Sequence, residues 1–212
     1  MGVATLRHLQ EKGLSTIGVS RHSALIAADI MTDEGLSKLT KEVNNHGGLQ
    51  GVVQFIGGQN GEGKVSEVSD KDWMATFQTN VLSTVRLSRA LGPFMKPGSC
   101  WLNISSSMAR SPSQFNAHYS ASKAALESLS RSMAIDWSDR GVRVLSLRLG
   151  AVDAPKTRAK ENFNLDRTLS RIALGRMGTT EDVAGMVGLL LSKEAAWTTG
   201  HVIDLDGGTG LR

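Results

Sequence analysis

The chain has one cysteine, one tyrosine, four prolines and only 5% aromatic residues in 212 positions. A lone Cys100 excludes an intrachain disulfide and fits a reducing compartment. His8, His22, His46, His118 and His201 show no metal-ligand spacing with it or with one another, so no metal site is expected. No apolar run approaches the ~20 residues of a membrane-spanning helix. Met1 is not followed by the apolar stretch of a signal peptide, and Leu6 breaks the myristoylation pattern. The expectation is a soluble cytoplasmic protein with no membrane partner.

No block of like charge is present either. Lys and Arg total 24 against 20 for Asp and Glu, a net charge of +4, and the two signs are interleaved. A nucleic-acid partner is therefore not expected, despite a pI of about 9.4. Repeats, linkers and low-complexity segments are missing. What remains is 40% hydrophobic residues. That is enough for one core, and a single domain over 1–212 is expected.

Apolar spacing predicts helices at 2–12, 33–45, 70–95, 119–139 and from Glu181 onward. Strands are predicted at 15–20, 25–29, 51–58, 100–107, from Val142 and from Val202. Gly13 stands where a helix C-cap needs a left-handed residue. Leu36, Leu39 and Val43 form the inward stripe of the second helix. Strands alternating with helices argue for a parallel sheet covered on both faces.

One stretch carries a chemical proposal, His118-Tyr119-Ser120-Ala121-Ser122-Lys123. On a helix, Tyr119 and Lys123 leave the same face, one turn apart. A fixed positive charge favours the phenolate and lowers a phenol's pKa from about 10. Such a pair is a general acid/base device. Alone, the spacing is common. Its surroundings add weight: the apolar run Cys100-Trp101-Leu102-Asn103-Ile104 ends in Ser105-Ser106-Ser107, placing hydroxyls at the carboxyl end of a strand. Open α/β sheets keep their sites there.

Asn103-Ile104-Ser105-Ser106, then Tyr119 and Lys123, closely resembles the short-chain dehydrogenase/reductase family. So do Gly141-Val142-Arg143-Val144, Gly175-Arg176-Met177-Gly178 and Asp204-Leu205-Asp206-Gly207-Gly208. The resemblance implies an α/β fold with a Rossmann-type doubly wound parallel sheet. It implies an oxidoreductase interconverting a carbonyl and a secondary alcohol, with a small-molecule substrate. Tyr119 would be the acid/base, Lys123 would lower its pKa and hold the ribose, Ser106 would bind the substrate oxygen, and Asn80 would serve the proton relay. A kinking polar residue with a buried hydrogen bond is the plainer reading of Asn80.

Cofactor contacts are implied at Arg21, Asp29, Ile30, Gly57, Asn80, Tyr119, Lys123, Gly150 and Val152. Arg21 stands where a carboxylate would select a ribose hydroxyl, so NADP(H) is expected over NAD(H). An exposed strand-end arginine and a loop-capping Asp29 are the alternatives. Residues 154–173 correspond to the substrate loop, with Lys156, Arg158, Lys160, Arg167 and Arg171 set against Glu161 and Asp166. They suit an anionic substrate or a solvated helix face. Met108, Phe115 and His118 are pocket-lining candidates, His118 equally a surface residue. A homotetramer or homodimer is implied by the family.

The chain also departs from the family. Gln54-Phe55-Ile56-Gly57 replaces Asn-Asn-Ala-Gly, Leu149-Gly150 replaces Pro-Gly, and Ala154 replaces a threonine. Gly2 matches the last glycine of the phosphate-cradling turn, and the first strand and the other glycines have no counterpart. The expectation is a sheet lacking that strand, with neighbours about 9–10 Å apart, twice the normal spacing. It is read as roughly fifteen native residues lying upstream. The competing reading is a non-catalytic subunit or binding protein of the same fold that has lost its cofactor loop.

Overall fold

A computed structural model describes residues 1–21, 26–159 and 163–211. His22, Leu25, Lys160 and Glu161 of the readings above lie outside the described residues.

Helix α1, Gly2–Glu11, ends at Gly13, whose φ of 78° is the left-handed turn predicted for it. Strands β1, Val19–Ser20, and β2, Ile26–Ala27, follow, then α2, Asp33–Asn45. The Thr32 side chain caps α2 by accepting from the Gly35 amide, and its predicted stripe, with Leu39 and Val43 buried, faces inward. Strand β3, Leu49–Gln54, leads to α3, Asp70–Phe77, and α4, Ser83–Leu91. The single helix expected over 70–95 is corrected here. A π-helical turn over Gln78–Leu82 separates α3 from α4, and Met95 already belongs to β4. That turn carries Asn80, so a π-bulge marks a candidate site residue.

Strand β4, Met95–Ser106, runs into α5, Ala117–Asp136, and β5, Arg143–Leu149. The short helices α6, Pro155–Arg158, and α7, Leu165–Leu169, occupy the expected substrate loop. Helix α8, Thr180–Leu191, opens on a Thr179–Asp182 capping box, and β6 is Val202–Leu205.

All strand pairs are parallel. Among the described residues they form two sheets, β1-β2 and β3-β4-β5-β6. No ladder joins β1 to β3, which is where the sequence reading left a strand's width. One apolar cluster spans both sheets. Ile26, Leu39, Val43, Trp101 and Val144 are buried in it, with Val19 and Val52 packed against them. A second lies on the other face, around Leu102, Leu145, Leu147, Val183 and Val187. Helix α1 packs against α8 beside this sheet, and a Cβ on Gly2 would sit 3.8 Å from the Phe55 ring. The N-terminus of α1 thus faces the carboxyl end of β3.

The β4–β5 pair is the most extended, in register from Cys100↔Arg143 to Ser106↔Leu149. Polar cross-ties fix α5 upon it. Ser130 Oγ accepts from Asn103 Nδ2 and from Ser146 Oγ, both at 2.9 Å. With both faces covered, the paired stretches of these strands are buried nearly residue after residue rather than at alternate positions.

Candidate active site

The register sets Ser106 at the last position of β4, opposite Leu149, with Gly150 next along β5. Ser106 Oγ accepts from the Met108 amide at 3.3 Å and starts a short 3-10 turn. Tyr119 lies in the first turn of α5, where Ser106 acts to lower the pKa of its phenol. Lys123, one turn on, is only 3% exposed. Its ammonium donates to the Ile104 carbonyl at 2.9 Å and lies 6.0 Å from the Tyr119 ring centroid.

Asn80 closes the group from the opposite helix. Fully buried, it accepts from the Gly58 amide at 2.8 Å through Oδ1. Its Nδ2 donates to the Gly58 carbonyl at 2.9 Å and to Ser122 Oγ at 2.7 Å. Ser122 in turn donates to the Tyr119 carbonyl at 2.7 Å. One amide therefore locks the loop after β3 to the turn of α5 that bears the tyrosine. A Cβ on Gly57 would come within 2.8 Å of Lys123 Nζ and 3.3 Å of Asn80 Oδ1, so that loop passes the ammonium as bare backbone.

Burial shapes the electrostatics. It lowers the Lys123 pKa to about 8, with attraction from Glu127 acting the other way. It also raises the Tyr119 phenol above its ordinary value, and Ser106 offsets only part of this. At the tyrosine desolvation outweighs any lowering of the phenol by Lys123, whose ammonium is directed at the Ile104 carbonyl.

The remaining site candidates are spread wider. Gly150 is a close approach, since a Cβ there would meet the Asp206 backbone at 2.7 Å. Val152 is buried and bridges to Gly178, beside a small cavity also lined by Arg176 and Asp206. Arg21 is exposed at the end of β1. Asp29 accepts from the Met31 amide at 2.9 Å, which is the loop-capping alternative, while Ile30 is buried in the core. Arg158 in the substrate loop pairs with Asp153 at 2.6 Å.

His118 is not a surface residue. It is fully buried, its Nε2 donates to the Asn60 carbonyl at 2.8 Å, and its ring tilts against Trp73. Gln54, the departure from the family's asparagine, is also buried. It donates to Ser83 Oγ and accepts from Thr84 Oγ1, so it fastens β3 to α4. The sequence reading missed Ser122 and Glu127. Glu127 lies four residues beyond Lys123, a spacing that the Tyr119–Lys123 argument itself supplies.

A hydroxyl, a phenol and an ammonium converge at the carboxyl end of a parallel strand, next to glycine backbone. This is the build of a dinucleotide-dependent oxidoreductase on an open α/β sheet. A family model described as enoyl-(acyl carrier protein) reductase matches residues 3–210. The 3-oxoacyl-[acyl-carrier-protein] reductase of Pseudomonas aeruginosa is 28% identical over 98% of this chain and 85% of its own length. Glucose 1-dehydrogenase 2 of Bacillus subtilis is 29% identical over 98% of the chain and 80% of its own. A Serratia marcescens short-chain dehydrogenase/reductase mutant superposes with a TM-score of 0.88 at 27% identity, covering 98% of this chain and 92% of its own. The chain belongs to the short-chain dehydrogenase/reductase family, whose members are NAD(P)-dependent oxidoreductases. No helix among the described residues is long and apolar enough to cross a membrane.

Proposed function

We propose that the chain interconverts a small-molecule carbonyl and a secondary alcohol, using NADP(H) in preference to NAD(H). The observation that supports this most is the Asn80 clamp, which ties the Gly58 loop to the helical turn bearing Tyr119. Tyr119 is the proton donor for reduction and the acceptor for oxidation. The phenol is protonated at neutral pH, as a donor requires, and burial raises its pKa further. Ser106 donates to the substrate oxygen, where negative charge develops. The Lys123 ammonium, still largely charged at pH 7, stabilises the phenolate left behind and binds the nicotinamide ribose. Asn80 serves the proton relay by fixing both Gly58 and Ser122.

The residues fit the nicotinamide and ribose end of a dinucleotide, which supplies or accepts the hydride when bound. Gly57 offers backbone free of a Cβ beside Lys123, and Gly150 and Val152 line the end of β5. Asn80, Tyr119 and Lys123 complete this side. Asp29 and Ile30 are assigned to the adenine end. Exposed Arg21 takes the 2′-phosphate of NADP. The chain is read as one domain over 1–212, cytoplasmic, and a homo-oligomer, tetramer or dimer. Exposed Met74, Leu82 and Ile135 along α3 to α5 support association.

The test follows NADPH oxidation over a panel of ketones. Tyr119→Phe is expected to lower kcat by roughly 10²–10⁴-fold while cofactor affinity stays close to the parent's. A kcat comparable to the parent's would sink the assignment.

A further inference from the structure

Glu127 is a buried carboxylate that the proposed chemistry leaves unused. It comes four residues after Lys123 and eight after Tyr119, so the three side chains leave one face of α5 in successive turns. Glu127 is 5% exposed. Its Oε1 accepts from Ser105 Oγ at 2.6 Å and from Arg148 Nε at 2.9 Å, and its Oε2 accepts from Arg148 Nη2 at 2.7 Å. Arg148 Nη1 reaches Asp204 at 3.0 Å, and Arg110 closes the chain onto Asp204 and Asp206. Ser105 lies between Ile104, whose carbonyl takes the Lys123 ammonium, and Ser106. The carboxylate is thus pinned both by the strand that carries the serine and by the next strand over. A buried ion pair is weak evidence for stability, because desolvation offsets its attraction. The place of this one, directly beyond Lys123, is more informative.

We propose that Glu127 is a positioning residue: held by Ser105 and Arg148, it keeps Lys123 a charged ammonium on the face of α5 that carries Tyr119. The inference rests on the roles given above to Tyr119 and Lys123. Among the described residues, the surroundings of Lys123 are Tyr119 and Glu127 on α5, the Ile104 carbonyl on β4 and Gly57 after β3. Asn80 in the π turn completes them, and Arg148 on β5 with Asp204 on β6 lies beyond Glu127. Glu127 is the acidic group whose attraction raises the Lys123 pKa against burial. The nearby cation, Arg148, is balanced by Glu127 and Asp204. Removing the Glu127 charge both withdraws an attraction from Lys123 and leaves Arg148 less balanced. Both changes disfavour the ammonium.

The measurement is the titration of Lys123 in the ligand-free protein. Carbon-13 NMR of labelled lysine follows its Cε resonance, assigned by its loss in Lys123→Arg. Glu127→Gln is expected to lower the midpoint by about half a pH unit or more. Glu127→Asp, which keeps the charge, stays closer to the parent, whereas a purely packing role would leave both variants alike. The alkaline limb of kcat/KM for ketone reduction should move down with the midpoint. If Glu127→Gln fails to fold, Arg148→Gln frees the Glu127 carboxylate of its counter-charge and should raise the Lys123 midpoint, an unmoved midpoint again overturning the coupling. An unmoved Lys123 midpoint overturns the inference, whatever the activity. A lowered midpoint with an unmoved rate profile supports the Glu127–Lys123 coupling and overturns instead the catalytic role of Lys123.

Discussion

The four-stranded sheet with α5 and the two-stranded sheet are given different proposed jobs and have unequal means. In the first, β4 and β5 pair from Cys100↔Arg143 to Ser106↔Leu149, and Trp101, Leu102, Leu145 and Leu147 are completely buried. The proposed proton-handling residues are held in place: Lys123 by burial and the Ile104 carbonyl, Asn80 by Gly58 and Ser122, and the Tyr119 backbone by Ser122. In the second, β1 and β2 contribute two residue pairs, Val19↔Ile26 and Ser20↔Ala27, and Arg21 projects from the end. Proton chemistry needs groups held to fractions of an ångström. An arginine meeting a phosphate works as a long, adaptable charge.

That contrast predicts its largest effect in hydrogen exchange. Ile26 and Ala28 donate to Gly18 and Ser20 and have no second ladder behind them. Amides of β4 and β5 should open only with global unfolding, and those of β1 and β2 by local opening, a difference of roughly a thousandfold or more in protection. Equal protection across the two sheets would dissolve the distinction. Next comes Gly57→Ala. The added methyl would meet Lys123 Nζ, which has nowhere to retreat because it is buried against Ile104. A displacement of about 1 Å costs on the order of 10²-fold in kcat. The overpacking should also lower the melting temperature by a few degrees, so steady-state kinetics beside calorimetry separate the loss of rate from the loss of fold.

Legibility followed the reach of each interaction. The bounds of α2 were readable because Thr32 caps it locally and Leu36, Leu39 and Val43 keep a 3.6-residue period. The strand end at Ser105-Ser106 and the shared helix face of Tyr119 and Lys123 were readable because both are patterns of neighbouring residues, while the choice of Ser106 among the serines came from the family resemblance. At Asn80 the plainer reading, a kinking polar residue with a buried hydrogen bond, matches the π turn, while the bounds of that turn were hidden because one inserted residue leaves the apolar spacing of 70–95 looking continuous. His118 was ambiguous for another reason: its burial depends on Asn60 and Trp73, far away in the sequence. The Glu127–Arg148–Asp204 chain needs the β5–β6 register, which sets Arg148 beside Asp204 and which no single strand encodes. The Tyr119 pKa turned on desolvation, a property of the packed state, rather than on the lysine one turn away.

Asn80→Ala tests how far the tying of the first region extends. It removes one amide and leaves the Gly58 amide and carbonyl and the Ser122 hydroxyl short of a partner. Unsatisfied buried groups cost about 1–3 kcal/mol each, so unfolding in urea should shift measurably. Because Ser122 also supports the Tyr119 carbonyl, kcat should fall as well, with KM changing less. Wild-type stability together with wild-type kcat would show that the clamp is ornamental.

The smallest effect is expected at Arg21. It is exposed, hangs from a strand two residues long, and faces water whenever no nucleotide is present. A charge-assisted contact from such a residue is worth about 1.5–3 kcal/mol, so Arg21→Asp should weaken NADP by roughly ten- to a hundredfold. The new carboxylate can accept from a ribose hydroxyl, and NAD binding should hold steady or improve. Turnover at saturating nucleotide should change little, because Arg21 touches none of Ser106, Tyr119, Lys123 or Asn80. Fluorescence titration with both nucleotides reads the affinities directly. Equal dissociation constants for NADP and NAD in the parent protein would remove Arg21 from the site. A large fall in saturated turnover would instead mean that the two regions are coupled more tightly than their separate sheets imply.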